Sequence, residues 1–581
     1  MNSEPIAERI FCGGSSGAKR TASPLRLESE VRNPKSEARR KSELRNPNGA
    51  RLHERASSFG FFSDFGLRIS DLRGEAVRLA PKSPTLRVGL LGVVWLFFSV
   101  AFNVEAESSL NLLILDSSTH RPVPCRIHLL GPNGQAVKPP ELPFWRDHFV
   151  CTGAVQLALP PGAYRWQVER GPEWSRTNGA VTLTEETGGT ITNELRRLVN
   201  LSAEGWWSGE THVHRPLPMV ELLMQAEDLP VAEIITWWNR VNPWTNQTTL
   251  PAPLPVTTVG NRIHNPLGGE DERDGGALLF LGGSPPFDIT DGTRHFPSSL
   301  AFAKKADKRP ERWIDAEKPF WWDFPMWVAH DVIDTVGIAH NHMHRSGVYE
   351  NEAWGRPRNL AKYPGPQGNG RYTQDIYYHL LNTGVRLPPS AGSASGVLPN
   401  PVGYNRVFVH IDGELSYARW KEGLKAGRSF VSNGPLIRAR ANGFWPGAVF
   451  RTNGALEIRL EAQLDSSDGI AAVELVQNGQ VESVKLPANL TVRESGWFLL
   501  RVIADVPNTF RFASTAPWYV ELGGKPMQPK AESAGYFVDW CRERIGNLKS
   551  LSSISEAQKR EIVQPWLEAE KFWIDRFAPP R

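Results

Sequence analysis

The stretch Gly209-Glu-Thr-His-Val-His-Arg215 places two histidines one residue apart. Side chains alternate in direction along an extended strand, so His212 and His214 project to the same side. Two imidazoles so placed can reach one metal ion at about 2.0–2.1 Å. Two further stretches carry ligand-type side chains. Gly268-Gly-Glu-Asp-Glu272 sets acidic residues just ahead of an apolar run, and Ile338-Ala-His-Asn-His-Met-His-Arg345 ends another apolar run with three of the chain's 14 His. Histidine with carboxylate suits zinc, manganese or iron alike. No Cys-x-x-Cys occurs, which excludes a zinc ribbon.

These residues need a scaffold, and the pattern around them predicts one. Over 199–437, apolar strand-like runs (Val231–Thr236, Ala277–Leu281, Thr335–Ala339) alternate with helical patterns at Met219–Asp228 and Tyr372–Leu381. That alternation favours a mostly parallel sheet or barrel, with the chemistry at the C-terminal ends of the strands. Before it, residues 107–198 read as short strands punctuated by Pro132-Asn-Gly134 and Pro160-Pro-Gly162, the pattern of a small β-sandwich. After it, residues 438–525 read as a second sandwich, with strands at Leu456–Ala462, Ala471–Gln477, Phe498–Ala504 and Trp518–Leu522. Residues 526–581 form a helical tail. Ser553 and Glu556 have capping-box spacing, and Pro565 is expected to kink or divide the last helix.

The 581 residues carry a net charge of +4, and the basic excess lies in residues 1–87. Residues 1–84 lack the apolar surface that orders a chain. The folded part is near neutral, which argues against a nucleic-acid partner. Residues 85–106 join Arg87, the apolar run Val88–Val104 and Val104-Glu-Ala106, the layout of a secretory signal. The expectation is cleavage after Ala106, a true start near residue 85 and a periplasmic or secreted product. The alternative is an uncleaved anchor, which would be the only membrane contact. Cys125 and Cys151 could pair in an oxidising compartment or stay as buried thiols. The 21 Trp, several in pairs (Trp206-Trp207, Trp237-Trp238, Trp321-Trp322), point to an aromatic core or cleft wall, with a carbohydrate-stacking surface as the alternative.

In order, His-x-His, a strand with Gly-Glu and a strand with Ala-His resemble the PHP metallohydrolases. The strings Gly205-Trp-Trp-Ser-Gly-Glu-Thr-His-Val-His-Arg-Pro216, Ile235-Thr-Trp-Trp-Asn239, Lys318-Pro-Phe-Trp-Trp-Asp323, Leu381-Asn-Thr-Gly-Val-Arg-Leu-Pro-Pro-Ser-Ala-Gly-Ser393 and Ala426-Gly-Arg-Ser-Phe-Val-Ser-Asn-Gly-Pro435 look like its CehA/McbA branch, named for carbaryl hydrolases. The likeness covers about 200–437. It implies a distorted β/α barrel flanked by the two sandwiches. It also implies a divalent metal, zinc first and manganese or iron otherwise, on His212, His214, Glu270 and His340. His342 or His344 would serve as the catalytic proton donor. The implied activity is hydrolysis of a small-molecule ester, carbamate or phosphoester by a metal-activated water. The chain departs from the family twice: Thr236-Trp-Trp-Asn239 stands for Thr-Asp-His-Asn, and Gly392-Ser-Ala-Ser-Gly396 for Gly-Ser-Asp-Ala-His. Those departures leave one metal feasible, with His342, His344 or His295 as substitute ligands. They also leave open a catalytically degenerate scaffold that binds a ligand or glycan. Asp116-Ser-Ser-Thr-His-Arg-Pro-Val-Pro-Cys-Arg-Ile127 and Leu159-Pro-Pro-Gly-Ala-Tyr164 resemble the transthyretin-like or carboxypeptidase-regulatory module, an accessory domain.

Overall fold

The computed structural model describes residues 108–577 except 246, 248, 249, 251, 283, 284, 308–310 and 350. The basic extension and the apolar run Val88–Val104 lie outside the described residues. Within them, five sheets and seven α-helices make a mostly β molecule. No helix among the described residues is long and apolar enough to cross a membrane.

Strand Ser108–Asp116 alternates as expected and buries Leu110, Leu112 and Ile114. It pairs antiparallel with Ala154–Leu159 and parallel with Gly189–Leu195. A five-stranded sheet containing Cys125–Leu130 and His148–Cys151 shares its core through Ile127, Phe149 and Val168. Cys125 and Cys151 are register partners, with Sγ atoms 3.9 Å apart as buried thiols.

The largest sheet runs in the order Pro389–Ala391, Thr335–Ala339, Trp313–Ala316, Gly276–Leu281, Arg262–Arg273, Val231–Trp238, Trp206–Val213, Arg406–His410, Ser429–Ser432. It is mixed rather than mostly parallel. Val231–Trp238 lies parallel to both its neighbours, as does Thr335–Ala339. Gly276–Leu281 is antiparallel to both of its own. Only Asp274-Gly275 separates Arg262–Arg273 from Gly276–Leu281, and a parallel crossover needs a dozen or more residues. Beyond Ser429–Ser432 the sheet continues into Phe512–Thr515 and Gly496–Ala504, so its hydrogen bonds cross the boundary expected near 437. At the other edge, the residues after Pro389–Ala391 return to Trp206–Val213. The Ala394 amide donates to the His212 carbonyl and the His214 amide to the Ser395 carbonyl, each at 2.8 Å.

Each tryptophan pair divides its burial. Trp206, Trp237 and Trp321 are buried, while their neighbours Trp207, Trp238 and Trp322 are partly or more exposed. The alternation follows the strand pleat for the first two. Most of this aromatic surface is therefore core.

The tail is two helices, Ala531–Lys549 and Glu556–Phe577. Its capping box is Ser555 with Gln558, two residues beyond the expected pair: the Ser555 amide donates to Gln558 Oε1 at 2.9 Å, and the Gln558 amide to Ser555 Oγ at 3.3 Å. The second helix runs through Pro565 undivided. Ile562 and Val563 before that proline and Trp566 and Trp573 after it are all buried in the central core, so tertiary packing holds both halves in line. Trp573 stacks on Phe537 at 4.5 Å and donates its indole N–H to the Pro325 carbonyl at 3.1 Å. Trp573→Ala is expected to cost about 3–5 kcal/mol, the range for deleting a large buried aromatic. The urea midpoint of the tryptophan fluorescence transition measures it.

Candidate metal centre

His212 lies near the end of strand Trp206–Val213, and His214 one residue past it. Glu270 belongs to Arg262–Arg273, two strands away, with Val231–Trp238 between. That middle strand carries register shifts against both neighbours. Such irregularities bend a strand and increase its twist. The bend lets side chains of the two outer strands meet over the middle one.

His212 Nε2 and His214 Nε2 are 2.9 Å apart, Glu270 Oε1 lies 3.3 Å from the first, and Glu270 Oε2 lies 3.1 Å from the second. A tetrahedral ion with donors at about 2.0–2.1 Å requires donors roughly 3.3 Å from one another. The three side chains lie close enough together to hold one cation, each imidazole facing one oxygen of the carboxylate.

Behind them stands a group that sequence reasoning missed. Glu317 Oε1 is 3.3 Å from His212 Nδ1, while Glu317 Oε2 accepts from Lys318 Nζ and, at 3.1 Å, from Trp321 Nε1. Glu317 and Lys318 directly follow strand Trp313–Ala316, and both are buried. A carboxylate on the far nitrogen of a ligating histidine fixes its tautomer and orientation. The only signal in the sequence was an acid at a strand's C-terminal end, in a strand of four residues.

Burial by itself lowers the pKa of His212, but Glu270 and Glu317 outweigh it and hold it at about 10. Burial raises Glu317, yet Lys318 and His212 bring it down to about 2. Glu270, also pushed up by burial, is carried well below the carboxylate range by His212 and His214.

His340, expected as the fourth ligand, is not among the converging donors. Its Nε2 meets Thr373 Oγ1 at 2.9 Å, and its Nδ1 accepts from the His342 amide at 3.3 Å, so both ring nitrogens are engaged. The His342 ring lies 5.5 Å from Phe320 and 5.4 Å from Tyr349, with Nδ1 buried and unpartnered. His344 is half-buried beside Tyr349 at 5.4 Å. His295 faces Asp274 at 3.4 Å beside Arg544 of the first tail helix, and is no substitute ligand. Gly392 passes against His212, where a Cβ would lie 2.5 Å from the His212 Cβ. Segment 392–396 thus comes close to the centre without offering a ligand.

A second His–Asp grouping, His128, Asp147 and His148, lies in the N-terminal sheets. His128 Nε2 accepts from Arg126 Nε at 3.2 Å, which leaves its proton on Nδ1 facing Asp147 at 3.3 Å. His148 Nδ1 meets the same carboxylate at 2.8 Å. Imidazole N–H groups satisfy Asp147, and no lone pair is left pointing at a shared ion.

Comparisons with protein-family models, with curated proteins and with solved structures found no match to the chain.

Metal affinity should depend on pH. Glu270 and Glu317 hold the pKa of His212 at about 10, and a nitrogen that ligates a cation must shed its proton. Below that pH, apparent affinity should rise about tenfold per unit, with about one proton released per ion. Calorimetry in buffers of different ionisation enthalpy reads the proton count. Glu317→Gln should weaken binding by about 10–100-fold.

Proposed function

We propose that this chain is a metal-dependent hydrolase of ester, carbamate or phosphoester bonds, with its centre in a distorted β/α barrel of the PHP type. The observation that carries this reading is the convergence of His212, His214 and Glu270, with each imidazole facing one oxygen of the carboxylate. The return of segment 392–396 to strand Trp206–Val213 supports closure of the barrel. The apolar run Val88–Val104 supports export, and residues 107–198 would then be an accessory sandwich.

His212, His214 and Glu270 would hold the ion, a donor set that zinc, manganese and iron all accept. A divalent cation there supplies Lewis acidity and lowers the pKa of water. Glu317 orients His212 from behind. Burial lowers His342 and His344, and Lys318 lowers His342 further. Both imidazoles are therefore neutral at pH 7, and any proton they deliver to a leaving group is one they first accept. No hydrogen bond occupies His342 Nδ1, which makes it the candidate atom for that step. Trp238, 37% exposed and with its ring 6.0 Å from His214, walls one side.

A non-catalytic binding scaffold is favoured by one observation: Ser393, Ala394 and Ser395 supply no metal-binding carboxylate or imidazole. The same experiment separates the two. Protein stripped by chelator and reloaded with zinc or manganese is assayed on chromogenic aryl esters, carbamates and phosphodiesters. Metal-restored turnover that drops by more than about 100-fold in His212→Ala supports the hydrolase, since even outer partners of a ligand cost about 10–100-fold. Stoichiometric metal without turnover supports the scaffold, and turnover indifferent to chelator and to His212→Ala overturns the hydrolase.

A further inference from the structure

Cys125 and Cys151 have no part in the proposed reaction. Strands Cys125–Leu130 and His148–Cys151 pair antiparallel over three register partners: Cys125 with Cys151, Arg126 with Val150 and Ile127 with Phe149. Directly opposed residues of an antiparallel pair point to the same face, with Cα atoms about 4.5–5.5 Å apart. A disulfide spans Cα atoms about 4.4–6.8 Å apart, so the pairing already meets the backbone requirement. The close approach continues past the pair, where a Cβ on Gly153 would lie 2.5 Å from the Val123 nitrogen. The two Sγ atoms are 3.9 Å apart. Each has about 1 Å to travel to reach the S–S bond length of about 2.05 Å. Both side chains sit in the N-terminal core, whereas Cys541, on the first tail helix, belongs to the central one.

We propose that Cys125 and Cys151 form a cross-strand disulfide, made by exchange with a low-molecular-weight disulfide as the N-terminal sheets fold. One cysteine thiolate attacks a sulfur of the oxidant and releases one thiol. The second cysteine attacks the mixed disulfide and releases the other. Two protein thiols are oxidised, one oxidant disulfide is reduced to two thiols, and these carry away the two cysteine protons. Burial sets the order of events. At 0% and 1% exposure in the folded chain, the two sulfurs meet the oxidant before the core closes, and the closed core then keeps reductants out. The bond closes a loop that carries Phe144, whose carbonyl accepts from Arg215 at 3.3 Å, and Trp145, which donates to the Leu398 carbonyl at 2.7 Å. Three register pairs are a short hold for that loop, and a cross-link strengthens it by removing freedom from the unfolded chain. The inference is independent of the metal reading.

The test starts from the full chain, unfolded and reduced, then refolded in a mixture of reduced and oxidised glutathione. After removal of glutathione the protein is unfolded, alkylated without reductant, digested and mapped by mass spectrometry. The expected map joins Cys125 to Cys151, leaves both unalkylated and shows Cys541 alkylated. The urea midpoint should lie above that of protein refolded with dithiothreitol, and this difference should vanish in Cys151→Ala. Alkylation of both Cys125 and Cys151 in protein with native circular dichroism overturns the inference. So does a link from either residue to Cys12, to Cys541 or to glutathione alone. Should refolding fail, the same map on protein exported into an oxidising compartment carries the same expectation.

Discussion

Two buried carboxylates hold opposite nitrogens of one imidazole. Glu270 faces His212 Nε2 and Glu317 faces Nδ1, each at 3.3 Å. Neither acid tolerates burial alone, because an ionised carboxylate removed from water needs compensation by opposite charge or hydrogen bonds. That compensation comes from His212 itself, from His214 and from Lys318. The groups in this charge arrangement sit on, or just past, three different strands, so the arrangement requires the sheet to curl. The irregular middle strand Val231–Trp238 permits the curl, and Gly392 lets the returning segment press against His212.

The same strand anchors what surrounds the centre. Glu210, two residues before His212, accepts from the Ser393 amide at 2.6 Å and from the Gly403 amide. Burial raises its pKa to about 7 against those hydrogen bonds. Asn400 then ties the segment to the histidine loop, donating to the carbonyls of Asn341 and Ser393, each at 3.2 Å. Segment 392–405 is thus held by backbone amides on a buried acid and by an amide side chain. Its place against the centre requires no ligand of its own.

What was readable in the sequence follows from how local each feature is. The His212–His214 pair is a period-two signal inside one strand, and most strands of the first 200 residues announce themselves by the same alternation. Glu270 came through resemblance, because its partners lie two strands away. Glu317 had neither signal: one acid after a four-residue strand repeats nothing. His340 misled for a related reason. Three histidines at a strand end look like ligands, but Thr373, on helix Gly368–Asn382, engages one of its nitrogens, and no spacing along the chain reveals that. The continuity of the sheet past 437 was hidden likewise, since strands of a second sandwich and strands extending the first sheet share one pattern.

The N-terminal sheets bear on the centre through the residue next to its second histidine. Arg215 is buried, donates to the Phe144 carbonyl at 3.3 Å and lies 5.3 Å from the Trp145 ring. Trp145 in turn donates to the Leu398 carbonyl at 2.7 Å, just past the segment that returns to His214. Deeper in the same contact, Arg126 pairs with Glu169 of its own sheet and with Glu227, which caps helix Leu217–Ala226. A charged network this buried fixes orientation more than it adds stability. The first 90 described residues therefore act as a brace. They tie Arg215, next to His214, and Leu398, just past the returning segment, to the same two aromatic residues, Phe144 and Trp145.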